Sequence, residues 1–101
     1  MTEDEFIKML EGHGYRNVRR LPTGEWAGNM RFMFTVAIVT GLDDVGYRCR
    51  WCYGSMNEAH AALILWDGQG NPPGRWLKQK GSLPDGTHVD RTPEEAAVED
   101  K

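Results

Sequence analysis

The sequence predicts a small α+β domain, because two capped helical segments flank a stretch of β-type residues. Thr2 with Glu5, and Ser55 with Glu58, fit the capping box that opens a helix. Between them, residues 47–53 place large side chains at every second position, as a strand with two different faces does. These observations predict an N-terminal helix, a three- to four-stranded antiparallel sheet and one helix packed on it, in the order α-β-β-β-α.

The N-terminal elements are predicted to be a short helix and a hairpin. The helix ends near Gly12, after an apolar stripe at helical spacing: Phe6, Ile7, Met9 and Leu10. Tyr15, Val18 and Leu21 then recur at every third residue, which does not fit strict strand alternation. The turn residues Pro22-Thr23-Gly24 that follow still favour a hairpin.

Residues 25–40 form the centre of the predicted sheet. We expect this stretch to stay extended, with Gly28-Asn29 as a bulge or break that would divide it into two strands. The part from Phe32 to Val39 is apolar on both faces, which is typical of a central strand. We expect a helix to cover one face and a partner to cover the other.

The clearest strand is 47–53, and it leads into the second helix. Its alternation places two groups of side chains on opposite faces: Tyr47, Cys49, Trp51 and Tyr53 on one face, and Arg48, Arg50 and Cys52 on the other. The helix after Ser55 then presents one apolar side: Ala59, Ala62, Leu63 and Trp66. Turn residues follow, and the short segment 75–80 closes the domain.

The chain is predicted to divide into a single domain, residues 1–81, and an acidic tail, residues 82–101. The tail holds six acidic and two basic residues with little apolar content, so we expect it to be disordered. The whole chain has a net charge of −3, and residues 1–81 are close to neutral. A near-neutral domain gives no overall electrostatic attraction to nucleic acid or to an anionic membrane.

Composition also bounds the cellular environment. No apolar run approaches the 18 or so residues of a membrane span, and the acidic N-terminal residues do not fit a signal peptide. Two cysteines in a chain of 101 residues do not make a secreted disulfide framework. We therefore expect a cytoplasmic protein that has no membrane association.

Cys49-Arg50-Trp51-Cys52 is a Cys-x-x-Cys motif, which elsewhere marks zinc or redox sites. A spacing of three on a regular strand sends the two sulfurs to opposite faces, whereas a zinc site requires them to converge. We expect no metal and no cofactor, and Cys49 and Cys52 remain weak candidates for metal ligands.

Arginines supply the candidate binding residues. Arg48 and Arg50, with Arg31 from the neighbouring strand, would form a basic stripe on one face of the sheet. Such a stripe could lie against the phosphates of a nucleic acid. The alternative is a solvated surface whose charge is offset by three acidic residues: Glu25, Asp43 and Asp44.

A pattern of residues between about 15 and 81 carries a resemblance to known proteins: Met33-Phe34-Thr35, Gly41-Leu42-Asp43, Gly46-Tyr47, Cys52-Tyr53, Ala59, Ala62-Leu63, Trp66-Asp67-Gly68, Gly70, Pro72-Pro73-Gly74, Trp76-Leu77-Lys78 and Lys80-Gly81. Its most specific part is the ending from Trp66 to Lys78. In this pattern the chain resembles a group of small proteins of proteobacteria and their tailed phages or prophages. The resemblance implies a phage or prophage provenance and assigns no catalytic residue, and Cys49 is not part of the pattern.

The sequence as a whole favours a binding protein over an enzyme. No segment places a nucleophile beside a base or a glycine loop under a phosphate. The two-sided apolar strand indicates a protein partner or self-association. We therefore predict a non-enzymatic accessory protein that acts through protein–protein interaction. Nucleic-acid binding through Arg31, Arg48 and Arg50 is the alternative, and no small-molecule ligand is indicated.

Overall fold

The computed structural model describes residues 1–99, except for the side chain of Glu99, and it has an α+β fold. The elements are α1 (Glu3–Gly12), β1 (Arg16–Arg20), β2 (Trp26–Arg31), β3 (Val36–Thr40), β4 (Cys49–Tyr53), α2 (Met56–Leu65), β5 (Lys78–Ser82), β6 (His88–Arg91) and α3 (Pro93–Glu99). The strands form one antiparallel sheet in the sequential order β1-β2-β3-β4-β5-β6. The predicted class is confirmed, whereas the predicted strand number and element order are wrong.

The central strand β3 is buried on both faces of the sheet. Val36 and Ile38 lie in the apolar core that α2 covers, and Ala37 and Val39 lie in a second core on the opposite face. The face that the sequence left for a partner is covered by α1, whose Leu10 is wholly buried. The double burial of β3 is therefore satisfied within the chain.

The turn between β2 and β3 lies at residues 32–35 and not at Gly28-Asn29. Phe32 N–H donates to the Thr35 carbonyl oxygen (2.8 Å) and closes the turn. Gly28 and Asn29 lie inside β2, where the buried Asn29 amide donates to the carbonyl oxygen of Ala37 (3.2 Å). The expected bulge lies in β1 instead, where Asn17 has a positive φ of 54° and the register shifts between Arg16 and Arg19.

The segment predicted to be a disordered tail contributes β6 and α3 to the domain, so this prediction is wrong for the described residues. β6 pairs with β5, and Val89 and Ala96 are buried in the core beneath α2. Backbone pairing and these two side chains hold a segment whose composition is otherwise polar. The prediction for residues 100 and 101 lies outside the described residues.

Local capping signals set the starts of the first two helices, as predicted. The hydroxyl oxygen of Thr2 accepts from the N–H of Glu5, and that of Ser55 accepts from the N–H of Glu58, each at 3.2 Å. α2 buries Ala59, as its spacing predicts. Within residues 1–99, none of the helices has the length and apolar character that crossing a membrane would require.

Candidate functional site

Arg48 lies just before β4 and is held by contacts within the chain. Its guanidinium forms an ion pair with Glu25 and also donates to the carbonyl oxygen of Ser82 (3.2 Å). Both side chains of the ion pair are partly buried. This arginine joins the loop before β2 to the end of β5, and its charge is already compensated.

Arg50 is held by aromatic side chains on the face of the sheet that α1 partly covers. Its guanidinium carbon lies 4.9 Å from the centre of the Phe32 ring, and its Nη1 donates to the Tyr47 hydroxyl oxygen (2.7 Å). This hydrogen bond is the main cause that raises the pKa of Arg50 above its ordinary value. Both contacts orient the guanidinium and leave its positive charge uncompensated.

The structure does not bring Arg31, Arg48 and Arg50 together as one stripe. Arg31 pairs with Val36, which faces α2, whereas Arg50 pairs with Val39 on the opposite face. Directly opposed residues of antiparallel strands share a face, so Arg31 and Arg50 lie on different sides of the sheet. Arg48 precedes β4, which begins at Cys49. The strand alternation that was expected to place Arg48 on the same face as Arg50 therefore does not extend to Arg48.

The two cysteines lie on opposite faces of β4, as the strand alternation predicts. Cys49 is in the core beneath α2 and Cys52 is in the core on the other face. Burial raises the pKa of the Cys49 thiol and disfavours a reactive thiolate. Within the described part of the chain, no group of three or more His, Cys, Asp and Glu side chains is placed to hold a metal ion.

The hairpin tip, residues 32–35 between β2 and β3, exposes two large apolar side chains. Met33 is 88% exposed and Phe34 is 87% exposed. A groove of about 430 Å³ runs beside the tip, and its other walls come from the end of β2 and the start of α2: Arg31, Val36, Gly54, Ser55, Met56 and Asn57. The tip therefore combines a protruding apolar pair with a polar groove that contains one cation.

A second surface lies on the face of β4 and β5 opposite α2, and sequence reasoning missed two of its residues. Lys78 pairs with Cys52, and Lys80 pairs with Arg50, so all four share that face. The alternation Lys78-Gln79-Lys80 was the available signal, but segment 75–80 was not identified as a strand of the sheet. We call Arg50, Lys78 and Lys80 the basic strip.

A cleft of about 230 Å³ on the α2 side is enclosed by side chains that already contact each other. It lies beside the Arg48–Glu25 ion pair. Trp51 Nε1 donates to the Asn71 side-chain oxygen at 3.3 Å across its wall. Cys49 also lines it, and burial raises the pKa of this thiol. This cleft offers no activated nucleophile.

The described chain therefore presents two candidate binding surfaces, the apolar hairpin tip and the basic strip. Each presents side chains that can contact a macromolecule, and neither places a nucleophile beside a base. Comparison of the whole chain with protein families, with curated proteins and with solved structures found no significant match.

Proposed function

We propose that this protein is a non-enzymatic accessory protein that binds another protein through the hairpin tip. The observation that carries the proposal is the exposure of Met33 and Phe34, at 88% and 87% of their surface. Two adjacent large apolar side chains that stay exposed in the folded protein contribute little to folding and lower solubility, whereas burying them in a partner is favourable. Met and Phe are also enriched in the centres of protein interfaces.

The turn chemistry of the tip supports the same proposal. Phe32-Met33-Phe34-Thr35 contains none of the Gly, Pro, Asn or Asp residues that tight turns prefer. These residues instead favour strands, so the local preference conflicts with the turn. Conflicts of this kind between local preference and fold are expected where function outweighs stability.

The surroundings of the tip favour a protein partner over a nucleic acid. Arg31 is the only charged residue that lines the described groove, and Ser55 and Asn57 supply neutral hydrogen-bonding groups. An apolar anchor beside neutral polar groups matches the apolar centre and polar rim of a protein interface. A phosphate backbone would require several cations.

Photo-crosslinking tests this proposal in the full chain. p-Benzoylphenylalanine replaces Phe34 in one variant and Val45 in a matched control, because Val45 is another apolar loop residue, 91% exposed. We expect a discrete heterologous crosslinked product from position 34 and none of that mass from position 45. Adding Met33→Ser to the first variant should reduce the yield several-fold, because it removes the other half of the anchor.

Three results would contradict the proposal. Equal crosslinking from positions 34 and 45 would show only nonspecific contact, and no product from position 34 would indicate that the tip has no partner. A product of twice the chain mass would replace the heterologous partner with a second copy of this chain.

Thermal unfolding of Met33→Ser is the control for folding. Unchanged unfolding would show that any loss of crosslinking is not caused by misfolding, and we expect this result since Met33 contributes little buried surface.

The origin and location of the protein are part of the same proposal. The resemblance to small proteins of proteobacteria and tailed phages supports a phage- or prophage-type accessory role. Two free cysteines in the core, Cys49 and Cys52, support a reducing compartment such as the cytoplasm.

A further inference from the structure

We propose that the basic strip, formed by Arg50, Lys78 and Lys80, binds the phosphate backbone of a single-stranded nucleic acid. The strip adjoins the hairpin tip at Phe32, whose ring contacts Arg50, but it shares neither Met33 nor Phe34 with the tip, and the proposal does not depend on the proposed protein partner. It rests on the pairing register, on the local balance of charge and on the shape of the face.

The register concentrates three cations within a short distance. Arg50 of β4 lies directly opposite Lys80 of β5, and Lys78 is two residues from Lys80 on the same face. Two residues along a strand correspond to about 7 Å, and directly opposed side chains on neighbouring strands start about 5 Å apart. Lys78 and Lys80 are exposed to solvent, so these charges are accessible.

A carboxylate forms an ion pair at only one end of the strip, although its charge also acts on the neighbouring Lys80. Asp90 lies opposite Lys80 in the register, yet its carboxylate accepts from the Lys78 ammonium at 2.8 Å. That hydrogen bond raises the pKa of Lys78, and the charge of Glu95 adds to the effect. Within residues 1–99, Arg50 and Lys80 form no ion pair.

The opposition of Arg50 and Lys80 is itself unfavourable to folding. Like charges directly opposite each other on neighbouring strands destabilise a sheet, and of the two residues only Lys80 has an acidic residue across from it, Asp90 on β6, whose carboxylate is hydrogen-bonded to Lys78. Arg50 is nevertheless held in place by Phe32 and Tyr47. A fixed guanidinium beside a lysine that forms no ion pair can bind an external anion, because the anion would relieve the repulsion between the two cations.

The shape of the surface favours a single strand over a duplex. The strip lies on the face of a sheet and not on a protruding helix or ribbon, which are the elements that enter a major groove. Single-stranded nucleic acids bind to cationic surfaces with neighbouring aromatic rings. Phe32 and Tyr47 place such rings beside Arg50.

Fluorescence anisotropy with a labelled 20-nucleotide oligothymidylate tests this proposal on the full chain. We expect a plot of the logarithm of the association constant against the logarithm of the salt concentration to have a slope of about −2, because three contacts to a single strand contribute about −0.7 each. Lys78→Gln/Lys80→Gln should weaken binding at least tenfold at low salt and reduce the slope to about −0.7. The matched control Lys8→Gln/Arg75→Gln removes two exposed charges outside the strip and should change the affinity less than about twofold.

Several outcomes would overturn the proposal. They are the absence of salt-dependent binding by the wild-type chain, an equal loss of affinity in the two double variants, and tighter binding of a 20-base-pair duplex than of the single strand. Lys80→Gln alone gives a second test if the double variant is unstable, because Lys80 is exposed and in no ion pair among residues 1–99. Met33→Ser/Phe34→Ser should bind the oligonucleotide normally, which separates this proposal from the protein-binding one.

Discussion

Gly81 is a residue whose missing side chain lets β4 and β5 approach closely. Its φ of +138° lies in a region that is almost restricted to glycine. A Cβ at this position would clash with the carbonyl oxygen of Arg48 and would lie 2.6 Å from the Cα of Cys49. These neighbours are backbone atoms of the paired strand, so they cannot move away as a flexible side chain could.

Replacing Gly81 with alanine should therefore destabilise the protein by about 3 kcal/mol, through backbone strain together with the clash. Gly86→Ala is the matched control, because Gly86 also has a positive φ of 90° but its Cβ would have no atom within 4 Å. We expect that control to cost about 1 kcal/mol. Urea denaturation of both variants measures the difference, and equal losses would contradict the role assigned to the close approach.

At the scale of elements, β6 and α3 complete the sheet and its core. β6 pairs along β5 through four residue pairs, which removes β5 from the exposed edge. Val89 in β6 is 8% exposed and Ala96 in α3 is 2% exposed, and both pack into the core beneath α2. The C-terminal elements are therefore structural parts of the domain, because their two buried apolar residues form part of its core.

Val89→Asp should destabilise the protein by about 3 kcal/mol, because it introduces a charge into the core without a described partner. Val98→Asp makes the same chemical change in α3 at a side chain that is 73% exposed, and it should change stability by less than about 0.5 kcal/mol. Thermal unfolding compares the two variants. Equal, small effects would indicate that the C-terminal elements do not belong to the cooperative core.

At the scale of the whole molecule, two kinds of titratable group limit the pH range in which the protein is stable: carboxyl groups at low pH and a buried thiol at high pH. Backbone N–H groups of Gly46 and Val45 lower the pKa of Asp43, and hydrogen bonds to Thr87 and Lys78 lower those of Asp85 and Asp90. Burial raises the pKa of Cys49, whose ordinary value is 9.0. These groups are distributed over several elements, so their effects act on unfolding of the molecule as one unit.

We expect a stability plateau between about pH 5 and pH 8 in urea denaturation. Hydrogen bonds that lower the pKa of Asp43 in the folded protein stabilise its charged carboxylate, and thereby the fold. This contribution to stability is present above the unfolded pKa of 3.8 and is lost as the pH falls through the lower pKa of the folded state. A raised folded pKa stabilises the neutral thiol, so this contribution is present below pH 9.0 and is lost as pH rises through the higher folded value.

Asp43→Ala and Asp44→Ala provide the matched controls for the acidic limb. The Asp43 carboxylate accepts from the N–H groups of Val45 and Gly46 at 2.8 and 2.9 Å. No hydrogen bond of the neighbouring Asp44 carboxylate is found among residues 1–99. Asp43→Ala should reduce stability at pH 7 and flatten the acidic limb, and Asp44→Ala should leave the profile unchanged. Equal profiles for the two variants would contradict this assignment.

Some features of the candidate surfaces were predictable from the sequence, and others required the pairing of distant strands. Arg50 was predicted to be a surface cation. Its placement on the opposite face of the sheet from Arg31 depends on the position of the turn between β2 and β3. Lys78 and Lys80 join Arg50 only because β5 pairs with β4. Met33 and Phe34 read as strand residues, since no turn residue marks the hairpin tip.

The sequence by itself determined the α+β class, the starts of the first two helices at Thr2 and Ser55, and the opposite placement of Cys49 and Cys52. These features depend on neighbours within about one helical turn or on strand alternation, which the local sequence contains. Only the tertiary structure decided the six-stranded order, the α1 cover over β3 and the incorporation of 88–91 and 93–99. Those features arise from pairing and burial between distant segments, whose free energy outweighs local preference.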